Sequence, residues 1–222
     1  MFYTSTLNAA AMLSFVWLPS SGTSARAVTV SGDGYSGVYI WGAQLEAGAF
    51  QTSYIKTQAS QVTRSADSAS MTGTNFSDWY NPSQSTVYCE SSTNGPNSVA
   101  VAYSPYSLNS GSQINAIFTQ YYNGAINSIV RSENAEVARM NSLPVVPNTF
   151  CKTVLACAKN DFATSTSGAS VVTDTLGIMP SDVNVLNLGI TYSNHQPLNG
   201  YIKKIAYYPQ RLTNEQLQAL TS

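Results

Sequence analysis

The chain has 222 residues, ten basic and eleven acidic, for a net charge of −1 and only 9% charged residues. A soluble domain ordinarily carries about 25%, so a broad basic footprint for nucleic acid or an acidic bilayer is excluded. The 43% hydrophobic and 11% aromatic content excludes a disordered chain, leaves solubility to Ser, Thr, Asn and Gln, and fits one large all-β domain or one and a half ordinary ones at ~150 residues each.

The most apolar run, Ala9 to Leu18, is half the ~20 residues that span a bilayer. No Lys or Arg precedes Arg26, so the positive start of a signal peptide is missing even though Gly22-Thr-Ser-Ala25 resembles a cleavage site. The run reads as a buried strand or hairpin. Short strands are expected at Leu13–Leu18, Ala27–Val30 and Val38–Leu45, with a turn over Ser31–Gly37 where Gly, Asp and Ser cluster. Residues 1–55 thus form a partial β-rich segment, a candidate for anchoring or assembly. Residues 56–69 are polar, without periodicity, and read as a linker.

From residue 70 to 222 strand-like runs recur between Gly, Asn, Pro and Ser clusters: Thr86–Ser91, Val99–Tyr103, Gln113–Tyr122, Ala125–Arg131, Phe150–Lys159, Phe162–Thr166, Ser170–Asp174, Val185–Ile190 and Gly200–Tyr208. Such spacing indicates a sandwich rather than βαβ units. Ser132–Met140 reads as loop, and Ser167-Gly168 as a tight hairpin turn. One helix is expected, at the end. Thr213-Asn-Glu-Gln216 fits a capping box, and Leu217 and Leu220 then share a face.

The chemistry of catalysis is thin. The chain has one histidine, His195, in a polar Asn194-His-Gln-Pro197 loop with no nucleophile elbow. Its acids, Glu90, Glu133 and Glu136 among them, are too scattered for a glycosidase pair. No enzyme activity, cofactor or metal is expected; a structural calcium would have only Asp161, Asp174 and Asp182 near loops, short of the carboxylates calcium collects. Cys151 and Cys157 lie on one expected strand, ~20 Å apart, beyond the ~7 Å reach of a disulfide. Together with Cys89 they read as small buried hydrophobes. The positive feature is aromatic loops. Tyr103, Tyr106, Tyr121, Tyr122, Asn123, Tyr192 and His195 are the candidate contacts for a glycan or a protein. Tyr121 and Tyr122 must point to opposite faces of a strand, so one of them is expected outside.

Three stretches carry a resemblance. Gly32-Asp-Gly-Tyr-Ser-Gly-Val-Tyr-Ile-Trp-Gly-Ala-Gln-Leu-Glu-Ala-Gly-Ala-Phe-Gln-Thr-Ser-Tyr-Ile55, running on to Val62-Thr-Arg-Ser-Ala-Asp67, resembles the end of a carbohydrate-binding-module-like domain in tailed-phage tail fibre and virion proteins. Lys159–Ala169 with Thr173-Asp-Thr175, and Leu198–Leu220, are similar to the end of the concanavalin A-like (laminin G-type) jelly rolls of the same proteins. The resemblance implies an all-β jelly-roll sandwich over 70–222 with a short C-terminal helix. It implies a virion structural protein on the external surface, tail-fibre-like, touching host-surface glycans and other virion proteins. A homo-oligomer, with the trimer common among such fibres, is implied as well, although no heptads are present. A head decoration or adaptor protein, or a secreted lectin-like module, are the alternatives. Neither nucleic acid nor membrane insertion is expected.

Overall fold

The computed structural model describes residues 41, 42, 44, 54–56, 58, 60, 62, 69–94, 102–144, 146–192 and 196–222. The chain divides into two compact units, 1–64 and 65–222. The expected strands Leu13–Leu18 and Ala27–Val30 lie outside the described residues, as does the Ser31–Gly37 turn. Of Val38–Leu45 only Trp41, Gly42 and Gln44 are described, and these carry no strand. Within the first unit the Trp41 and Tyr54 rings meet edge to face at 6.1 Å, and Ile55 N donates to Gln44 Oε1 at 2.8 Å.

The second unit is a sandwich of two antiparallel sheets. Its strands are β1 (Ala69–Thr72), β2 (Gln84–Thr93), β3 (Tyr103–Asn109), β4 (Ala116–Tyr122), β5 (Ala125–Ser132), β6 (Ala135–Pro144), β7 (Cys151–Ala158), β8 (Asp161–Thr166), β9 (Val172–Asp174), β10 (Val185–Leu188) and β11 (Gly200–Tyr208). A short helix α1 (Thr74–Ser77) follows β1, and α2 (Asn214–Thr221) closes the chain. One sheet has the order β1-β10-β3-β4-β5-β6, the other β11-β2-β7-β8-β9.

Alternation along the strands sets the core. Tyr106, Leu108, Ile117, Val130, Ala138 and Met140 of the first sheet face Val87, Cys89, Leu155, Cys157 and Phe162 of the second. Each fully buried large side chain contributes about 1.5–3 kcal/mol relative to exposure. The expectation that Ser and Thr serve as a soluble coat holds only in part. Many are interior, and three pairs of hydroxyls bridge the sheets: Ser91–Tyr121 at 2.7 Å, Ser128–Thr164 at 2.8 Å and Ser142–Thr166 at 2.8 Å. Buried hydroxyls are tolerable only when paired in this way.

Three strands and one helix depart from the sequence reading: β1 and α1 have no expected counterpart, and β6 and β3 differ from it. Ser132–Met140 is not a loop: Glu133 and Asn134 (φ 52° and 65°) make a tight turn, and β6 follows from Ala135. Paired positive φ values match the twist of a hairpin. The expected strand Val99–Tyr103 lies mostly outside the described residues, while the observed β3 runs through Ser104-Pro105. The register slips between Tyr103 and Tyr106, and a bulge is where a strand accommodates Pro.

The terminal helix is as the capping pattern predicts. Gln216 N donates to Thr213 Oγ1 and Thr213 N to Gln216 Oε1. Leu217, fully buried, joins Leu212, Tyr88, Val154, Ala156 and Ala163 on the outward face of the five-stranded sheet. The Ser167-Gly168 turn, with both φ positive, links β8 and β9.

Candidate functional site

The aromatic candidates separate by strand parity. Tyr106 is fully buried, and its hydroxyl pairs with Thr119 Oγ1 at 3.0 Å. Tyr121 is 3% exposed. Its one hydroxyl proton goes to Ser91 O at 3.0 Å, so Ser91 Oγ donates to it at 2.7 Å. Tyr103 packs with Tyr121, Ile126 and Leu198 in a buried cluster. Burial pushes the Tyr106 and Tyr121 hydroxyls well above the ordinary phenol range. These three rings present no face to a ligand; they are core, because their positions on β3 and β4 point inward. Tyr192 is half-buried and accepts from Gln113 Nε2. His195 lies outside the described residues.

Tyr122 is the candidate that faces out. It is 38% exposed at the tip of the β4–β5 hairpin, beside exposed Asn123. The turn is Asn123-Gly124, with φ of 50° and 75°, which is the chemistry a two-residue hairpin wants.

The outward face around Tyr122 is built from facing pairs: Gln120 with Asn127, Phe118 with Ile129 and Ile129 with Arg139. Ala116, Phe118 and Ile129 form a buried apolar cluster there. At the far side, Asn109 and Asn187 each donate to Thr191 O at 2.9 Å, so the segment after β10 lies over that end of the face.

Arg139 on β6 is the central group. Its Nε and Nη2 donate to the two oxygens of Glu136 at 2.6 and 2.7 Å. Its Nη1 donates to Asn127 Oδ1 at 2.9 Å. Asn127, 4% exposed, also donates to the carbonyls of Tyr122 and Ala125 at 3.3 and 3.2 Å. One buried amide therefore braces both the hairpin tip and the guanidinium. The fork geometry holds the guanidinium plane, and its side chain stays 36% exposed. Hydrogen bonds from Arg139 hold the Glu136 carboxyl below its usual range, and Glu136 raises Arg139 in return. Arg131, facing Glu136 across the register, donates from Nη2 to Asn134 O at 3.1 Å, while its buried Nε has no partner.

Sequence reading weighed Glu136 only as a scattered acid, placed Asn127 on an expected strand without assigning it a role, and missed Arg139 because it read Ser132–Met140 as a loop. The available signal was the Glu133-Asn134 pair, a turn followed by Ala-Glu-Val-Ala-Arg-Met alternation. Among the described residues no three metal-binding side chains gather, and no helix is long and apolar enough to cross a membrane.

No protein-family model matches the chain, and no curated protein does. Solved structures do. The IT-sialidase CBM40 of Ruminococcus gnavus bound to α2,3-sialyllactose is similar with a TM-score of 0.53 and 19% identity, over 64% of this chain and 84% of that one. The NanB sialidase of Streptococcus pneumoniae is similar with a TM-score of 0.57 and 14% identity, over 69% of this chain and 27% of that one. The heptameric SAP-like pentraxin of Limulus polyphemus has a TM-score of 0.50 and 13% identity, over 63% and 70%. At such identities the likeness is one of fold, a concanavalin A-like jelly roll.

Proposed function

We propose that the chain is a glycan-binding jelly-roll module and that the Tyr122–Arg139 rim of the six-stranded sheet is its binding surface. The observation that carries this is the pre-set guanidinium beside a half-exposed ring. A sugar needs an apolar ring face next to hydrogen-bonding groups whose directions are fixed beforehand, since ordering them on binding costs affinity. Arg139 is fixed by Glu136 and Asn127, and Asn127 fixes the Tyr122 turn as well. Arg139 stays partly exposed beside its pairing with Glu136, so its guanidinium remains within reach of a sugar acid. The sialyllactose-bound module of similar fold supplies the first ligand to try.

The test is calorimetric titration of the full chain with sialyllactose and lactose, backed by an array of neutral and acidic glycans. Arg139→Ala and Tyr122→Ala should each weaken binding about tenfold, as loss of an anchor does. Wild-type affinity in Arg139→Ala, or no binding to any glycan, refutes the proposal.

A second reading concerns where the module works. The stretches at 32–67, 159–175 and 198–220 resemble tailed-phage virion proteins, and this supports a place on an external, tail-fibre-like appendage. There a weak site gains avidity from many copies. Mass spectrometry of purified particles should find the chain. Its absence removes this reading, and density on the head lattice with the rim covered would favour a decoration role instead.

A further inference from the structure

We propose that the outward face of the five-stranded sheet holds a second site, for an acidic polysaccharide, on the opposite side of the sandwich from the Tyr122–Arg139 rim. Val87 and Cys89 of β2 point into the core, so Tyr88, Glu90 and Ser92 point out. Helix α2 covers the Tyr88 end of this face. The other end carries two bands that nothing in the glycan-binding rim uses.

The first band is charged. Lys204, Glu90 and Lys152 stand in register across β11, β2 and β7. Lys203, at the register slip in β11, donates to Glu90 Oε1 at 2.7 Å and remains 63% exposed. Three lysines thus line one cross-strand row with a single glutamate, with which Lys203 pairs, on a chain whose overall charge is −1. Lys152 donates to Ser222 O, and Lys204 sits over the Tyr88 ring at 5.7 Å.

The second band is aromatic. Tyr201, in register with Ser92, is 64% exposed. On the other side of β2, Phe150 directly precedes Cys151, the partner of Ser91, and is 46% exposed. Lys203 lies 5.7 Å from the centre of the Phe150 ring, so the two bands touch. The backbones of β11 and β7 are about 10 Å apart across β2. Two exposed rings at that separation, with cations one row away, give a sugar chain faces to lie on and its acidic groups partners. Bare cations would serve any polyanion; the rings add flat faces for a sugar chain, and single-stranded nucleic acid, which could also stack on them, is the competitor the test includes.

The experiment measures binding of the full chain to polygalacturonate, dextran and a sulfated dextran at several salt concentrations. Polygalacturonate or the sulfated glucan should bind, more weakly as salt rises, and dextran should not. Lys203→Gln with Lys204→Gln should weaken binding about tenfold, and Tyr201→Ser with Phe150→Ser by a similar factor with the salt slope kept. Glu90→Gln should tighten it, an outcome that misfolding cannot imitate. All of these are measured in the Arg139→Ala background, where the rim no longer holds a sugar acid, so the binding that remains reports this site alone. No binding to either polyanion in that background, no effect of removing the lysines or the rings, or equal competition by single-stranded DNA overturns the proposal.

Discussion

Tyr121 and Tyr122 are neighbours in sequence with opposite destinations, and they should have opposite phenotypes. Tyr121→Phe removes a hydroxyl that donates to Ser91 O at 3.0 Å and accepts from Ser91 Oγ at 2.7 Å. The ring stays, so no cavity opens. The loss is one to two buried hydrogen bonds and an orphaned Ser91 hydroxyl, about 1.5–2.5 kcal/mol in all. For a unit of this size that lowers Tm by about 3–8 °C. Adding Ser91→Ala removes the orphan, so the double variant should be more stable than the two single losses sum to. Glycan affinity of Tyr121→Phe should match wild type. Tyr122→Ala should do the reverse, moving Tm by no more than about 2 °C and costing about tenfold in affinity. Thermal melts by circular dichroism and calorimetric titration read both quantities. An unchanged Tm in Tyr121→Phe, or an additive double-variant cycle, would refute the inter-sheet role; unaltered binding in Tyr122→Ala would refute the rim.

Three further outcomes are expected. Glu136 has a folded-state pKa below its ordinary value through hydrogen bonds from Arg139, so what it contributes is present above the ordinary carboxylate pKa of about 4.3 and lost as pH falls through the depressed one. Glycan affinity followed from pH 7 downward should therefore hold through the ordinary carboxylate range of about 4.3 and fall only below it, and Glu136→Gln should remove the step; a step centred near neutrality would point to another group. Gly200→Ala places a Cβ 1.9 Å from Ser92 O and 2.8 Å from Thr93 Cα, which forces β11 off β2 and should cost at least about 3 kcal/mol in urea unfolding; a loss under about 1 kcal/mol contradicts the close approach. Burial pushes the Cys89 thiol up to about 12 and Cys157 higher still, so at pH 8 a disulfide reagent should reach only half-buried Cys151 in the native protein and all three thiols in guanidinium; rapid native labelling of Cys89 would refute the packing.

Legibility in the sequence followed how local the determinant is. β11 is found at Gly200–Tyr208 as expected, and β5, β7 and β8 to within two residues, because a run of apolar and β-branched residues is its own signal. The capping box located α2 because four consecutive residues specify it. β3 was illegible because its Pro105 is admitted only by a bulge, and the bulge is a property of the β3–β4 pair. β6 was illegible because Ala, Glu, Arg and Asn have little strand preference; the Glu133-Asn134 turn folds it back onto β5. The same pairing brings Arg139 to Asn127, twelve residues away, so the rim could not be read before the hairpin was. The tyrosines show the converse limit. Their residue type signalled importance, but only strand parity and the position of the second sheet decide that Tyr103, Tyr106 and Tyr121 are inside.

The scarcity of charge takes on a different meaning once the sheets are in place. Serine and threonine do interior work that a charged pair would do at a heavy desolvation cost, since hydroxyls joining Ser91 to Tyr121, Ser128 to Thr164 and Ser142 to Thr166 hold the two sheets without burying an ion. A core stitched this way asks little of Lys, Arg, Asp or Glu. Of the ten basic residues, five, Arg131, Arg139, Lys152, Lys203 and Lys204, belong to the two outward-facing clusters, each around one carboxylate and beside an exposed ring. On a chain with charge to spare, such clusters would be unremarked surface ion pairs worth little. On one that is 9% charged, their placement on the two outward sheet faces is the strongest non-random feature of the surface, and it is why both binding proposals rest on them rather than on the tyrosine-rich strands.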